Sequence, residues 1–236
     1  MLADLPLGEG GADRRVVMQA PKNGFFYVLD AADGELISAT PFTKQNWTTG
    51  EFDENGRPVL IQDAVDMALT VVIPGPTGAH NWHPMAFNPD TGLVYIPVNE
   101  IPFFYDKTRN VEDSKSWWNI GYDAAAGWPV EYPAGTLDAV ADMDGGSLLA
   151  WDPVKAEPRW AVPFALPLNG GVLSTDAGLV FQGNKFGDLV AYDAETGERL
   201  WSEQLVGNAA AAPMTYEIDG EQYLSVLSGW GSVSNL

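Results

Sequence analysis

Ala150–Trp160 reads AWDPVKAEPRW, and Ala191–Trp201 reads AYDAETGERLW. The two segments align without a gap over eleven positions: Ala, an aromatic, Asp, a turn and a closing Trp. Asp152 and Asp193 stand 41 positions apart, the spacing of four-stranded propeller blades. Upstream of the second copy, GDLVAY alternates faces as a strand. Asp193 then opens a tight turn whose amides its carboxylate accepts, and Gly197 takes the φ > 0 position. The chain returns on a strand ending in Trp201, a ring large enough to wedge between neighbouring sheets. Weaker copies stand at Val28–Ser38 (VLDAADGELIS) and Asn88–Gly92 (NPDTG), the latter before a strand over Leu93–Val98. A hairpin-rich meander explains the alternation but not an aligned Ala-x-Asp…Trp unit. The expected fold is all-β, with four-stranded antiparallel blades around an incomplete ring.

Composition agrees. The 25 Gly and 17 Pro are spread along all 236 residues and punctuate many short elements, leaving long helices few places to form. No apolar run approaches the length of a membrane span. A formal charge of −20 opposes binding to nucleic acid or an anionic membrane, and its plain consequence is solubility. Without cysteine the chain has no disulfide, thiolate site or Cys-x-x-Cys-His haem attachment. The opening MLADLPLGEGGADRR lacks the basic start and apolar core of a signal peptide.

Four stretches offer chemistry. In QAPKNGFFYVLD (19–30), Lys22 sits between Pro21 and Asn23-Gly24 at a strand entrance, and taken alone it reads as a solvated surface lysine. In GAHNWHPM (78–85), the Asn81 amide both donates and accepts, and Trp82 offers an indole donor and an apolar wall. Taken alone, this pair reads as a turn plus a docking ring. The same loop holds both histidines, His80 and His83, with no third ligand beside them, so structural roles are expected and no metal is assigned. LNGGVLST (168–175) and GNAAAAP (207–213) suit close backbone approach to a flat ring, and equally suit ordinary blade entrances.

Carboxylates form no convincing acid–base pair. Asp138, Asp142 and Asp144 read as an acidic turn, because the order of a calcium loop is absent. Ser147 and Ser174 lack a nucleophile's context, and no G-x-G-x-x-G or Walker sequence is present. No residue of the chain is assigned a catalytic role.

The eleven-residue unit resembles the tryptophan-docking motif of the pyrroloquinoline-quinone (PQQ) alcohol dehydrogenases, whose propellers have eight blades with variants of A-x-D-x-x-T-G-x-x-x-W. Asp193–Trp201 matches it fully, whereas Lys155 and Ala156 replace Thr-Gly in the first copy and weaken that turn. QAPKNGFFYVLD, GAHNWHP and NGGVLST are similar to the family's segments near the cofactor. The resemblance implies one propeller unit over 1–236, with Lys22, Asn81 and Trp82 contacting PQQ from one axial face. It implies further that the general base, the calcium ligands and a vicinal disulfide lie upstream of Met1. The chain is then expected to be a C-terminal part of such an enzyme, inactive alone, with the upstream half of the propeller as a possible partner. By the same resemblance the substrate is a small primary alcohol, electrons pass to a cytochrome c-type acceptor, and the compartment is the periplasm. The alternative is a non-enzymatic PQQ-like-repeat propeller that binds proteins, which has no need of the lysine and Asn-Trp loops.

Overall fold

A computed structural model describes residues 1–65, 71–104, 143 and 145–229. The first sheet contains β1 (Leu2–Leu5), β2 (Arg14–Gln19), β3 (Phe25–Asp30) and β4 (Leu36–Pro41). A ribbon of β5 (Thr48–Phe52) and β6 (Pro58–Leu60) follows, then a four-residue helix α1 (Gln62–Val65) and β7 (Val71–Val72). The second sheet is built from β8 (Ala86–Asn88), β9 (Leu93–Asn99), β11 (Gly146–Asp152) and β12 (Glu157–Phe164); β10 (Phe103–Phe104) pairs with β7 outside it. The third contains β13 (Val172–Ser174), β14 (Leu179–Gly183), β15 (Asp188–Asp193) and β16 (Arg199–Gln204). A hairpin of β17 (Met214–Ile218) and β18 (Glu221–Ser225) comes last. Each four-stranded sheet is an antiparallel meander in chain order, the blade of a propeller. Among the described residues, α1 is the only α-helix.

The alternation of strand side chains decides how the blades stack. Along β9, Val94, Ile96 and Val98 join Leu149 and Trp151 of β11 in a core shared with Met18, Phe26 and Val28 of the first blade. Leu93, Tyr95, Leu148 and Ala150 point the other way, into a core with Val172, Val180, Val190 and Tyr192 of the third blade. The middle strands are therefore apolar on both faces and read as continuous runs, whereas β12 and β16 are largely exposed. Phe26 and Trp151 meet across the first interface with ring centroids 5.8 Å apart.

The repeat seen in the sequence recurs as one local geometry. In every blade the third and fourth strands shift register just ahead of the turn: at Val28/Leu29, Ala150/Trp151 and Ala191/Tyr192. Asp193 Oδ1 accepts the Glu195 and Thr196 amides at 3.0 and 2.9 Å, and Asp152 Oδ1 accepts those of Val154 and Lys155. Asn88 does the same with its amide oxygen for Asp90 and Thr91. Gly197 takes φ 75°, as its place in the turn requires. Ala156, standing where Gly197 stands, is driven to φ 54°, so the departure from Thr-Gly strains the turn without opening it.

Trp160 wedges between blades as expected of the motif's closing ring. Its Nε1–H donates to Ala194 O at 3.1 Å, and Tyr95 Oη donates to the same carbonyl at 3.0 Å. A Cβ on Gly197 would lie 2.7 Å from the Trp160 ring, so this turn and this ring fit only because the residue is glycine. Trp201 departs from the expectation. It remains 45% exposed, on a groove of about 820 Å³ lined also by Phe181, Leu189, Leu200 and Leu224. The sheet beyond it has only β17 and β18 among the described residues, joined by the short Asp219-Gly220 turn, which presents no five-residue Asx turn to receive the ring.

Trp160→Ala removes an inter-blade hydrogen bond and most of a ring's packing, and should cost about 2–3 kcal/mol. Trp201→Ala, at the same position of the repeat, should cost about 1 kcal/mol or less. Urea unfolding of both variants, followed by far-UV circular dichroism, measures the difference; equal losses would contradict this description of the interface.

Candidate functional site

Register divides each blade into two ends. The Asx turns, at 31–35, 89–92, 153–156 and 194–198, lie at one end, here the turn end. Segments 20–24, 73–85, 165–171, 184–187 and 205–213 lie at the other, the loop end. All four stretches singled out in the sequence have residues at the loop end, and there they touch in a continuous row.

The lysine segment and the Asn-Trp loop are joined first. The Ala79 amide donates to Lys22 O at 3.0 Å, and Lys22 Nζ donates to Pro76 O at 3.1 Å. Asn81 Nδ2 donates to Thr77 O, the next carbonyl, at 3.0 Å. Two side chains far apart in sequence therefore bond adjacent carbonyls of one loop, and their polar heads lie within roughly 12 Å of each other on ordinary backbone dimensions. Gly78 makes this approach possible: it holds φ 82°, and a Cβ there would come within 2.4 Å of Lys22 Cγ.

Trp82 is 53% exposed, and His83 stacks on one face of its ring with centroids 3.9 Å apart. Lys22 is likewise exposed, and Asn81 is half-buried. Beneath them, His80 and His83 are buried. His80 Nδ1 lies 2.7 Å from Ala20 O and Nε2 lies 2.8 Å from His83 O, while neither His83 nitrogen has a hydrogen-bond partner. Burial pulls both imidazoles down from 6.5, and His83 reaches about 4, with the nearby His80 ring adding to the effect. Among the described residues, no three His, Cys, Asp or Glu side chains gather as a metal site. The acidic stretch with Asp138, Asp142 and Asp144 lies outside the described residues.

LNGGVLST and GNAAAAP extend the row. Val172 N donates to Pro84 O at 2.8 Å, and Gly171 N donates to Ala210 O at 3.2 Å. A Cβ on Gly170 would sit 2.2 Å from Ala209 O, and one on Gly171 would sit 2.6 Å from Pro84 Cδ. The glycine pair thus buys close approach between loops, as an ordinary blade entrance requires, one of the two roles that the sequence suited equally. Asn99 was not singled out in the sequence; its Oδ1 accepts Leu168 N at 2.7 Å, and its backbone N–H donates to Ala79 O at 2.7 Å. A lone Asn at a strand end carries no sequence signal for that bridge.

Comparisons with known proteins follow the same lines. A family model described as "Glucose/ethanol/alcohol dehydrogenase, beta-propeller domain" matches residues 143–224. Quinohemoprotein alcohol dehydrogenase ADH-IIG of Pseudomonas putida is 43% identical over 98% of this chain and 32% of its own length. The solved structure of that enzyme superposes with a TM-score of 0.81, at 41% identity, over 98% of this chain and 34% of the other. Quinohemoprotein alcohol dehydrogenase from Comamonas testosteroni gives a TM-score of 0.79, at 41% identity, over 99% and 34%. The chain spans about a third of the length of the curated relatives it matches.

The histidines give the site a pH signature. Their protons bind the unfolded chain near 6.5 but the folded one lower, so stability is complete above about 6.5 and falls as pH drops towards 4. His83→Phe, which keeps a ring under Trp82, should flatten that slope and leave only the His80 contribution. Melting temperatures between pH 7.5 and 4 measure it; an unchanged slope would contradict the burial assigned to His83.

Proposed function

We propose that this chain carries part of the β-propeller of a PQQ-dependent alcohol dehydrogenase and that its loop end forms the lysine and Asn-Trp side of a PQQ pocket. The observation that carries the reading is the bonding of Lys22 and Asn81 to the adjacent carbonyls of Pro76 and Thr77.

The residues present suit the cofactor's chemistry. PQQ is a flat tricarboxylate with an ortho-quinone edge, and when bound it supplies the hydride acceptor. The Lys22 ammonium is exposed and has three N–H donors, one of them on Pro76 O, so donors remain for a carbonyl edge. With the cofactor bound, its charge would favour negative charge at that edge. Asn81 keeps its amide oxygen and second N–H for an edge contact, which fixes orientation in the plane. His83 covers one face of the Trp82 ring and leaves the other to lie against a planar ligand and exclude water.

In this reading the substrate is a small primary alcohol and the electron acceptor is a cytochrome c-type protein. The general base and the calcium ligands come from outside the described residues. Trp160 on the Ala194–Gly197 turn is the tryptophan-docking contact of such propellers. The proposed compartment is the periplasm, which fractionation of the host cell tests. No helix among the described residues is long and apolar enough to cross a membrane.

Titrating the purified chain with PQQ should quench tryptophan fluorescence to saturation. Lys22→Ala should weaken binding about tenfold, on the scale of a hydrogen bond to a charged group, and Trp201→Ala should leave it unchanged. A dye-linked ethanol assay on the chain alone should show no turnover. Absence of saturable binding, or equal affinity in Lys22→Ala, would sink the proposal.

A further inference from the structure

We propose that His80 is a positioning residue, a staple that holds the lysine segment and the Asn-Trp loop in register for the cofactor; the inference rests on the PQQ reading above. The ring sits under the site and spans it. Nδ1 meets the carbonyl of Ala20, two residues before Lys22, and Nε2 meets the carbonyl of His83, the residue after Trp82. One side chain therefore fixes both segments that carry the proposed contacts, from below and without touching the ligand.

Both partners are carbonyl oxygens. An imidazolium donates to both, whereas a neutral ring donates to one of them and holds the other segment by packing alone. Burial at 5% exposure shields the staple from competing water. Its effect passes upward through two contacts. The backbone bond from Ala79 N to Lys22 O lies directly beside it, and the His83 ring supports Trp82 at 3.9 Å. A shift of either carbonyl moves Lys22 relative to Trp82, and pockets that hold a ligand by a few directed contacts lose affinity on small displacements.

The test compares His80→Leu, His80→Gln and a core variant remote from the site, Val180→Ala. Val180 is fully buried in the core between the second and third blades. Three quantities are read on the full chain: the melting temperature, the dissociation constant for PQQ, and the exchange rate of the Ala79 amide by NMR. His80→Leu should raise the dissociation constant and speed Ala79 exchange by about tenfold each, the scale of one lost buried hydrogen bond. His80→Gln, which keeps N–H donors and remains informative should the leucine variant not fold, should show a smaller change in both. Val180→Ala should lower the melting temperature while leaving both site quantities as in the parent. Parental affinity and exchange in the folded His80 variants would overturn the staple, as would equal changes in Val180→Ala. Failure of the parent chain to bind PQQ would sink the pocket reading instead, and Ala79 exchange would still judge the staple.

Discussion

The Ala194 carbonyl is the point on which the stacking of the second and third blades turns. It accepts Trp160 Nε1–H and Tyr95 Oη–H together, from two different strands of the preceding blade. That convergence needs the tight Asx turn after Asp193, whose carboxylate takes two turn amides and the Thr196 hydroxyl; the hydroxyl does most to hold its pKa below the usual carboxylate range. It also needs Gly197, since any side chain there would collide with the indole. The Asx turns keep one end of the blades short, the 6–13 connection apart, and the chain passes from blade to blade at the loop end, where the backbone is free to vary and to present side chains.

The loop end is itself built on contacts that few sequences permit. Gly78, Gly170 and Gly171 let main chains meet where a methyl group would not fit, so five segments become one surface. On that surface a cation, a carboxamide and a half-open indole stand together above two buried histidines. The arrangement suits a flat anionic ligand. The strongly acidic net charge suits no nucleic acid, because phosphate binding needs clustered cations.

Much of this was legible in the sequence, for identifiable reasons. Asp193–Gly197 and Asp152–Ala156 announce their turns because an Asx residue and a φ > 0 position are local chemistry, readable without any partner. The weak copies at Val28–Ser38 and Asn88–Gly92 form the same turn because Asp30 and Asn88 retain the accepting oxygen. What stayed hidden depends on neighbours brought by the fold. Trp201 repeats Trp160 letter for letter, yet one ring is docked and the other half-exposed, since the receiving turn belongs to the next sheet. The second blade places Asn99 opposite Gly146, with the chain leaving and returning between them, and no spacing rule foretells that. His80 showed only as half of a histidine pair, and its two carbonyl partners come from different segments.

The central claim is that the loop end, and not the turn end or the groove beside Trp201, receives PQQ. Hydrogen–deuterium exchange of the chain with and without saturating PQQ, read by mass spectrometry, addresses it directly. The account predicts slowed exchange in peptides covering 20–24 and 76–84, with 30–35, 152–156 and 193–198 unchanged. Protection confined to the turn-end peptides or to the strands around Trp201, or no protection anywhere, would contradict it.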